Sequence, residues 1–366
     1  MRRAPPFILM PALLLTGLGV VAVYSASAIL ALERHEDPYF FVRRQLAFAA
    51  LGFGVMALGM QVDCQHLRKW TPLGLSVAFM LLLLVFIPPF AKEVGGAKRW
   101  LQLGWFSFQP AEVGKLALIF YLADRLAKRG AQVGRFREAY LPLVSVVGAL
   151  FLLLLLQPDL GTAVLFVGVG ALLLFVGGMP LPQLLGSLLA TLPCLYVVIA
   201  HVGFRRRRLL AFWDPWTERE GAGFQAVQSL LALGQGGSIG VGPGAGKQKL
   251  FFLPEAHTDF VFAVLGEEFG FVGCLLVLML FGVLLWSGMS VAWRSSDLFS
   301  RYLASGITSM LLLQVIFHVA VVVGLLPTKG LPLPFVSLGG SSLVITLLAM
   351  GMLMGISARN PQRAHG

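Results

Sequence analysis

KQKLFFLPEAHTDFVFAVLGEEFG, Lys247 to Gly270, changes character in its middle. Up to Asp259 it is polar and turn-rich; from Phe260 an apolar run extends to about residue 286, long enough to cross the roughly 30 Å hydrocarbon core of a bilayer. Glu255, His257, Asp259, Glu267 and Glu268 crowd into fourteen residues at and just inside this boundary. Ionisable groups beside or within a membrane are costly unless something uses them. The stretch therefore decides two things at once: the fold is a membrane bundle, and its reacting centre sits at the mouth of a span.

The rest of the chain agrees. It is 57% hydrophobic and 12% charged, against about 25% charged in a soluble domain. Further apolar runs lie near 7–32, 43–60, 73–90, 109–127, 140–156, 160–178, 183–202, 301–325 and 337–357, which predicts about ten transmembrane helices. Continuous runs such as Leu81 to Phe86 and Leu150 to Leu156 exclude a β-barrel, which needs alternation. The fold class is an all-α integral membrane protein, one polytopic domain over 1–366, with one large extracytoplasmic loop over 203–259. The run from Phe7 to Leu32 exceeds the roughly 7–15 apolar residues of a signal peptide and is expected to stay as the first span. Gln157-Pro158-Asp159-Leu160 is a tight hairpin whose proline prevents one continuous helix.

The net charge of +11 is spread over short segments between apolar runs, where it sets orientation and does not form a nucleic-acid face. With the 203–259 loop left out, one side carries thirteen Lys and Arg: Arg2, Arg3, Arg68, Lys69, Arg125, Lys128, Arg129, Arg135, Arg137, Arg294, Arg301, Arg359 and Arg363. The other has seven: Arg34, Arg43, Arg44, Lys92, Lys98, Arg99 and Lys329. Both termini are expected in the cytoplasm. Cys64, Cys194 and Cys274 are scattered, with neither a disulfide framework nor metal-ligand spacing.

Asp259 has two readings. Aspartate at a helix start is a good N-cap; a partly buried carboxylate with carboxylates nearby is also a general base, its pKa raised into the working range. Pro254, Glu255, His257 and Thr258 crowd the same turn, and Lys247 and Lys249 precede it. Glu112 and Lys115, spaced i, i+3, share one helix face, and a buried lysine needs an anion, which Glu112 or Asp159 would supply. Arg205 to Arg208 with Trp213 and Trp216 read equally as an anchor in lipid headgroups or as a contact to a substrate phosphate. Gly234 to Gly246 lacks the Lys-Ser/Thr of a nucleotide loop and reads as flexible backbone against a membrane or a lipid head group. Asp124, with Arg125 and Lys128, reads as a solvated helix end, Trp100 as an interfacial anchor, and His318 as a hydrogen-bonded core histidine. Pro327 to Ser342 breaks the helix with three prolines, and irregular backbone at membrane depth lines a cavity or is covered by protein.

With these residues in view, the chain resembles the SEDS family of shape, elongation, division and sporulation proteins. GGAKRWLQLG, FSFQPAEVGKL, QPDLGTAVL, GAGFQAVQSLLALGQGG, KLFFLPEAHTDFVFAVLGEEFGFVG and LPTKGLPLPFVSLGGSS occur in the family's order over nearly the whole sequence. QPAE, the arginines before AFWDPW, LPEAHTDF and LPTKG resemble the division branch more than the elongation branch. Two departures stand out: Leu338 replaces the usual Tyr of the terminal motif, and Gly242-Pro243-Gly244 replaces a GLG segment.

The resemblance implies an inverting peptidoglycan glycosyltransferase that polymerises lipid II on the outer face of the bacterial cytoplasmic membrane. The family's essential aspartate falls on Asp259, and its ionic contacts on Glu112, Lys115 and Asp159. Arg99, Lys247, Lys249, Glu255, His257, Thr258, Lys329 and Ser337 are the expected binding or supporting residues. A divalent cation, Mg2+ or Mn2+, would suit the pyrophosphate, although no dedicated ligand set is visible. The implied partners are a class B penicillin-binding protein and other membrane proteins of the division or elongation machinery. Competing readings are a lipid II flippase, which would need charged groups through the whole membrane, and a non-catalytic division scaffold, for which Asp259 would be only a cap.

Overall fold

The computed structural model describes residues 6–359 except 95, 104, 105, 201, 202 and 251, and leaves out the side chains of 6, 94, 103, 106, 131, 199, 204 and 205. Arg2, Arg3 and Arg363 of the orientation count, and the Arg205 side chain, lie outside the described residues.

Helices α1 (Pro6–His35), α2 (Phe40–Gln61), the short α3 (Cys64–Arg68) and α4 (Thr71–Leu84) come first. Strands β1 (Ala91–Val94), β2 (Ala97–Leu103) and β3 (Phe106–Phe108) follow as one antiparallel sheet in that order. Then come α5 (Pro110–Arg129), α6 (Leu141–Leu156), α7 (Leu160–Val176), α8 (Leu181–Ala200), α9 (Gly203–Trp213), α10 (Phe224–Gly236), α11 (Val261–Arg294), α12 (Leu298–Val322) and α13 (Gly340–Arg359). Among the described residues seven helices are long and apolar enough to cross a membrane, against ten expected runs. Helices α4 and α7 are shorter apolar helices, and α5 is too charged to qualify on composition.

Helix α12 is the hub, packed against α5, α7 and α11, while α13 lies along α2. Most residues of α12 and α13 are buried, and almost none of α8, which keeps its leucines on the outside. A stripe of small residues allows the α2–α13 contact: a Cβ at Gly351 would stand 2.2 Å from the Met56 carbonyl oxygen, and one at Gly355 2.8 Å from that of Met60. Close approach of backbones is what small residues at i, i+4 permit between membrane helices. Gly351→Ala should therefore lower stability by about 1–3 kcal/mol through overpacking, read as a fall in the thermal midpoint in detergent; an unchanged midpoint would refute this contact.

The polar segments are more structured than the sequence suggests. The 203–259 loop contains α9 and α10, and the sheet over 91–108 was not expected from an all-α reading. Its one visible signal is the Gly95-Gly96 pair between two short alternating runs, a hairpin mark.

The glycine-rich segment is corrected too. It packs tightly on α11 and is no loose cover on a membrane. Helix α11 breaks at Gly270, with φ 65° and ψ −165°, a backbone state favouring glycine. The break frees backbone groups that the 237–242 segment satisfies: Val241 and Gly242 donate to the Glu267 and Glu268 carbonyls at 3.0 and 3.1 Å, and Phe271 and Val272 donate to Gly237 and Ser238 at 2.9 and 3.1 Å. A broken helix at membrane depth survives only with such repair.

At the end of the bundle holding α3, Asp124 is also not a solvated terminus. It is 1% exposed and accepts from Arg68 Nε and Lys128 Nζ, both at 2.7 Å. Arg68 arrives from another helix, a contact that spacing along α5 cannot reveal.

Candidate active site

Asp259 stands one residue before the N-cap of α11, which is Phe260 and carries no side-chain cap bond. No described residue donates a hydrogen bond to its carboxylate, which disfavours the capping role. The carboxylate is instead half-buried against Gly330: a Cβ built there would lie 2.5 Å from Asp259 Oδ2. A side chain at this position would force the carboxyl group to move.

Burial pushes the Asp259 pKa up to about 7; Glu255, and more weakly Asp159, push the same way, while Arg99 and Arg208 pull it down. A carboxylate poised near neutrality is what a general base needs. The folded pKa lies above the ordinary carboxyl value of 3.8, so between these pH values the folded state holds more protons than the unfolded one. Stability from this group is thus fully present below about pH 4 and lost as pH rises through about 7. Activity should move oppositely, with kcat rising along an acid limb near pH 7. A kcat profile flat from pH 5 to 8 would remove Asp259 as the titrating base.

The flanking residues come from four separate segments. Glu255 takes a left-handed backbone, φ 56°, and its side chain and carbonyl accept from Thr258 Oγ1, both at 3.2 Å. Such strained non-glycine residues concentrate at functional sites. Arg99, on β2, donates to the Pro158 carbonyl and lies 3.9 Å from Asp159. Arg208, on α9, donates to the Thr328 carbonyl at 3.2 Å, and burial lowers its pKa. Two guanidinium groups therefore stand within electrostatic reach of one carboxylate, an arrangement suited to an anionic substrate.

The remaining expected residues divide. Asp159 caps α7, accepting from Thr162 N at 3.3 Å, and is not the partner of Lys115. That partner is Glu112, at 2.8 Å, with both side chains buried. His257 is buried, its pKa lowered chiefly by that burial, with its ring 4.9 Å from the Phe41 ring. Ser337 donates to the Thr258 carbonyl at 2.6 Å and accepts from Leu333 N at 2.9 Å, so it braces the turn from behind. Leu338, where the family usually has Tyr, donates its backbone N–H to the His257 carbonyl at 3.0 Å, a contact independent of the side chain. Lys329 is half-buried beside Gly330.

Lys247 and Lys249 are not gathered to this point. Lys247 is exposed, and its backbone N–H donates to Glu267 at 2.6 Å. Lys249 is buried in contact with Glu268, Ser25 and the Gly244 carbonyl, at 2.7, 2.7 and 2.8 Å. Glu267 and Glu268 therefore organise the loop and contribute no charge to Asp259. Arg208 and Gly330 are the residues that sequence reasoning missed. The four-arginine run was visible, but only the fold separates the half-buried Arg208 from exposed Arg206 and Arg207. Among the described residues no group of three or more His, Cys, Asp and Glu could hold a metal. The described donor set does not fit a dedicated Mg2+ or Mn2+ site.

A helical membrane bundle with one near-neutral carboxylate at the mouth of a broken helix, flanked by arginines, defines an integral membrane protein built for transfer chemistry on an anionic substrate. Residues 6–362 match the family model described as "Cell cycle protein", that of FtsW, RodA and SpoVE. The chain belongs to this family and is a multi-pass membrane protein. It is 45% identical over 352 residues to the "Probable peptidoglycan glycosyltransferase FtsW" of Geobacter metallireducens, covering 96% of this chain and 94% of that one. It is 41% identical to the stage V sporulation protein E of Bacillus subtilis, covering 94% of each. Among solved structures, it superposes with a TM-score of 0.81 at 30% identity on a chain of a peptidoglycan synthase complex that coordinates polymerization and crosslinking, covering 99% of this chain and 100% of that one. The rod shape determining protein RodA of Thermus thermophilus matches with a TM-score of 0.73 at 28% identity, covering 98% of each.

Proposed function

We propose that this chain is a peptidoglycan glycosyltransferase that polymerises lipid II into β-1,4-linked glycan strands for the septal wall in division. The observation that carries the reading is Asp259, half-buried against Gly330 with a pKa near 7 and within electrostatic reach of Arg99 and Arg208. Asp259 takes the proton of the acceptor GlcNAc 4-hydroxyl. The freed oxygen attacks the anomeric carbon of the donor MurNAc from the face opposite the leaving group, the bond to the undecaprenyl pyrophosphate breaks, and the configuration inverts. Arg99 and Arg208 offset the charge on the departing pyrophosphate. Any Mg2+ or Mn2+ would arrive on the pyrophosphate itself, since that ion takes few protein ligands beside phosphates.

The distribution of Lys and Arg supports cytoplasmic termini in the bacterial inner membrane, which puts the Asp259 end on the outer face. A class B penicillin-binding protein is the partner this reading needs, because new strands must be crosslinked; the likeness to a chain of a synthase complex supports it. The test is lipid II polymerisation by the purified protein with that partner. Glycan strands released without any other polymerase support the enzyme; no strands, together with lipid II crossing vesicle membranes, would replace it with the flippase.

A further inference from the structure

We infer that His318, deep in α12, is a positioning residue that holds the Asp259 carboxylate in its poised state through the backbone of the 328–333 segment. The inference rests on the reading of Asp259 as general base. His318 is 1% exposed, and its Nδ1 lies 2.7 Å from the Leu331 carbonyl oxygen. A carbonyl only accepts, so Nδ1 carries the proton and donates. Nε2 is then an acceptor, buried with no partner among the described residues. An unsatisfied buried polar atom is a cost that packing alone does not explain.

What the histidine grips is the segment that forms one wall of the site. Residues 323–339 form no helix or strand, and Pro327, Pro332 and Pro334 remove donors, so their carbonyls must find partners elsewhere. Among the described residues the side-chain ties include Arg208 to Thr328, Ser337 between Leu333 and Thr258, Gln45 to the Ser337 carbonyl, and His318 to Leu331. Of these, the His318 tie falls next to Gly330, which abuts the Asp259 carboxylate. The Leu331 side chain closes the arrangement against Gly161, where a Cβ would sit 3.3 Å from it, two residues beyond Asp159. Fixing Leu331 thus fixes how closely Gly330 covers Asp259, and so how much water reaches the carboxylate.

The experiment is the pH dependence of lipid II polymerisation by the complete complex, comparing wild type with His318→Leu, which cannot donate, and His318→Asn, whose amide can. His318→Leu should lower kcat about tenfold and move the acid limb of the kcat profile down by about one pH unit, while KM changes less than twofold. His318→Asn should restore most of both. If His318→Leu does not accumulate, His318→Met, an unbranched filler without a donor, takes its place. Lower kcat with an unmoved acid limb would reduce His318 to a packing residue, and wild-type behaviour in both variants would overturn the inference. Asp259→Asn run in parallel separates the two readings: if it stays active the general base itself is wrong, and if it is inactive while His318→Leu keeps the wild-type limb, only the present inference falls.

Discussion

Asp259→Asn should abolish glycan-strand formation, a loss of about 100- to 10,000-fold or more for removing a general base, while leaving the fold intact and no less stable above pH 7. Both halves follow from the same contacts. The amide is nearly the shape of the carboxylate, so it fits against Gly330 without new collisions, and no described hydrogen bond to the side chain is lost. The carboxylate is held in surroundings that disfavour its charge, led by burial and Glu255. Replacing it with a neutral group removes that penalty at pH values where the wild type is ionised. Strand formation by the purified complex and thermal unfolding at pH 8 measure the two effects. An inactive and less stable variant would indicate a structural aspartate, whereas an active one would remove Asp259 as the general base.

Lys115→Met should be the most destabilising single change in the bundle interior, costing about 3–5 kcal/mol because it leaves Glu112 charged and alone in a buried place. The two side chains are 3% and 5% exposed and one turn apart on α5. Glu112→Gln combined with Lys115→Met should recover most of the loss, since a buried pair replaced by neutral groups of similar volume is often tolerated. A double-mutant cycle read by thermal unfolding in detergent gives the coupling. Additive losses would show that the two residues act separately. Full stability with lost polymerisation would move Lys115 from the scaffold to the substrate.

The parts of the site legible in the sequence were those written along one element. Glu112 and Lys115 meet because three residues nearly complete a helical turn. The Gln157-Pro158-Asp159 turn ends α6 at Leu156 and starts α7 at Leu160, as a proline there requires. His318 was recognisable as a hydrogen-bonded core histidine, although not what it bonds. The burial of Asp124 and the place of Lys249 away from Asp259 were hidden for the opposite reason. Their partners, Arg68 in the one case and Ser25 and Glu268 in the other, lie 56, 224 and 19 residues away. Local sequence carries no sign of such pairings.

By itself, then, the sequence determined the solvent, the class and the chemistry on offer. Apolar runs of membrane length leave a helical bundle as the solution, because backbone polar groups in lipid must be satisfied within each segment. The order of its motifs marked the family, and the charged turn at Asp259 marked where chemistry could occur. The tertiary structure alone decided which groups share that chemistry. Arg99 on β2, Arg208 on α9, Gly330 in the irregular segment after α12 and Asp259 before α11 converge only once the bundle closes. Burial and electrostatic coupling, which turn an ordinary aspartate into a base poised near neutrality, act through space and not along the chain.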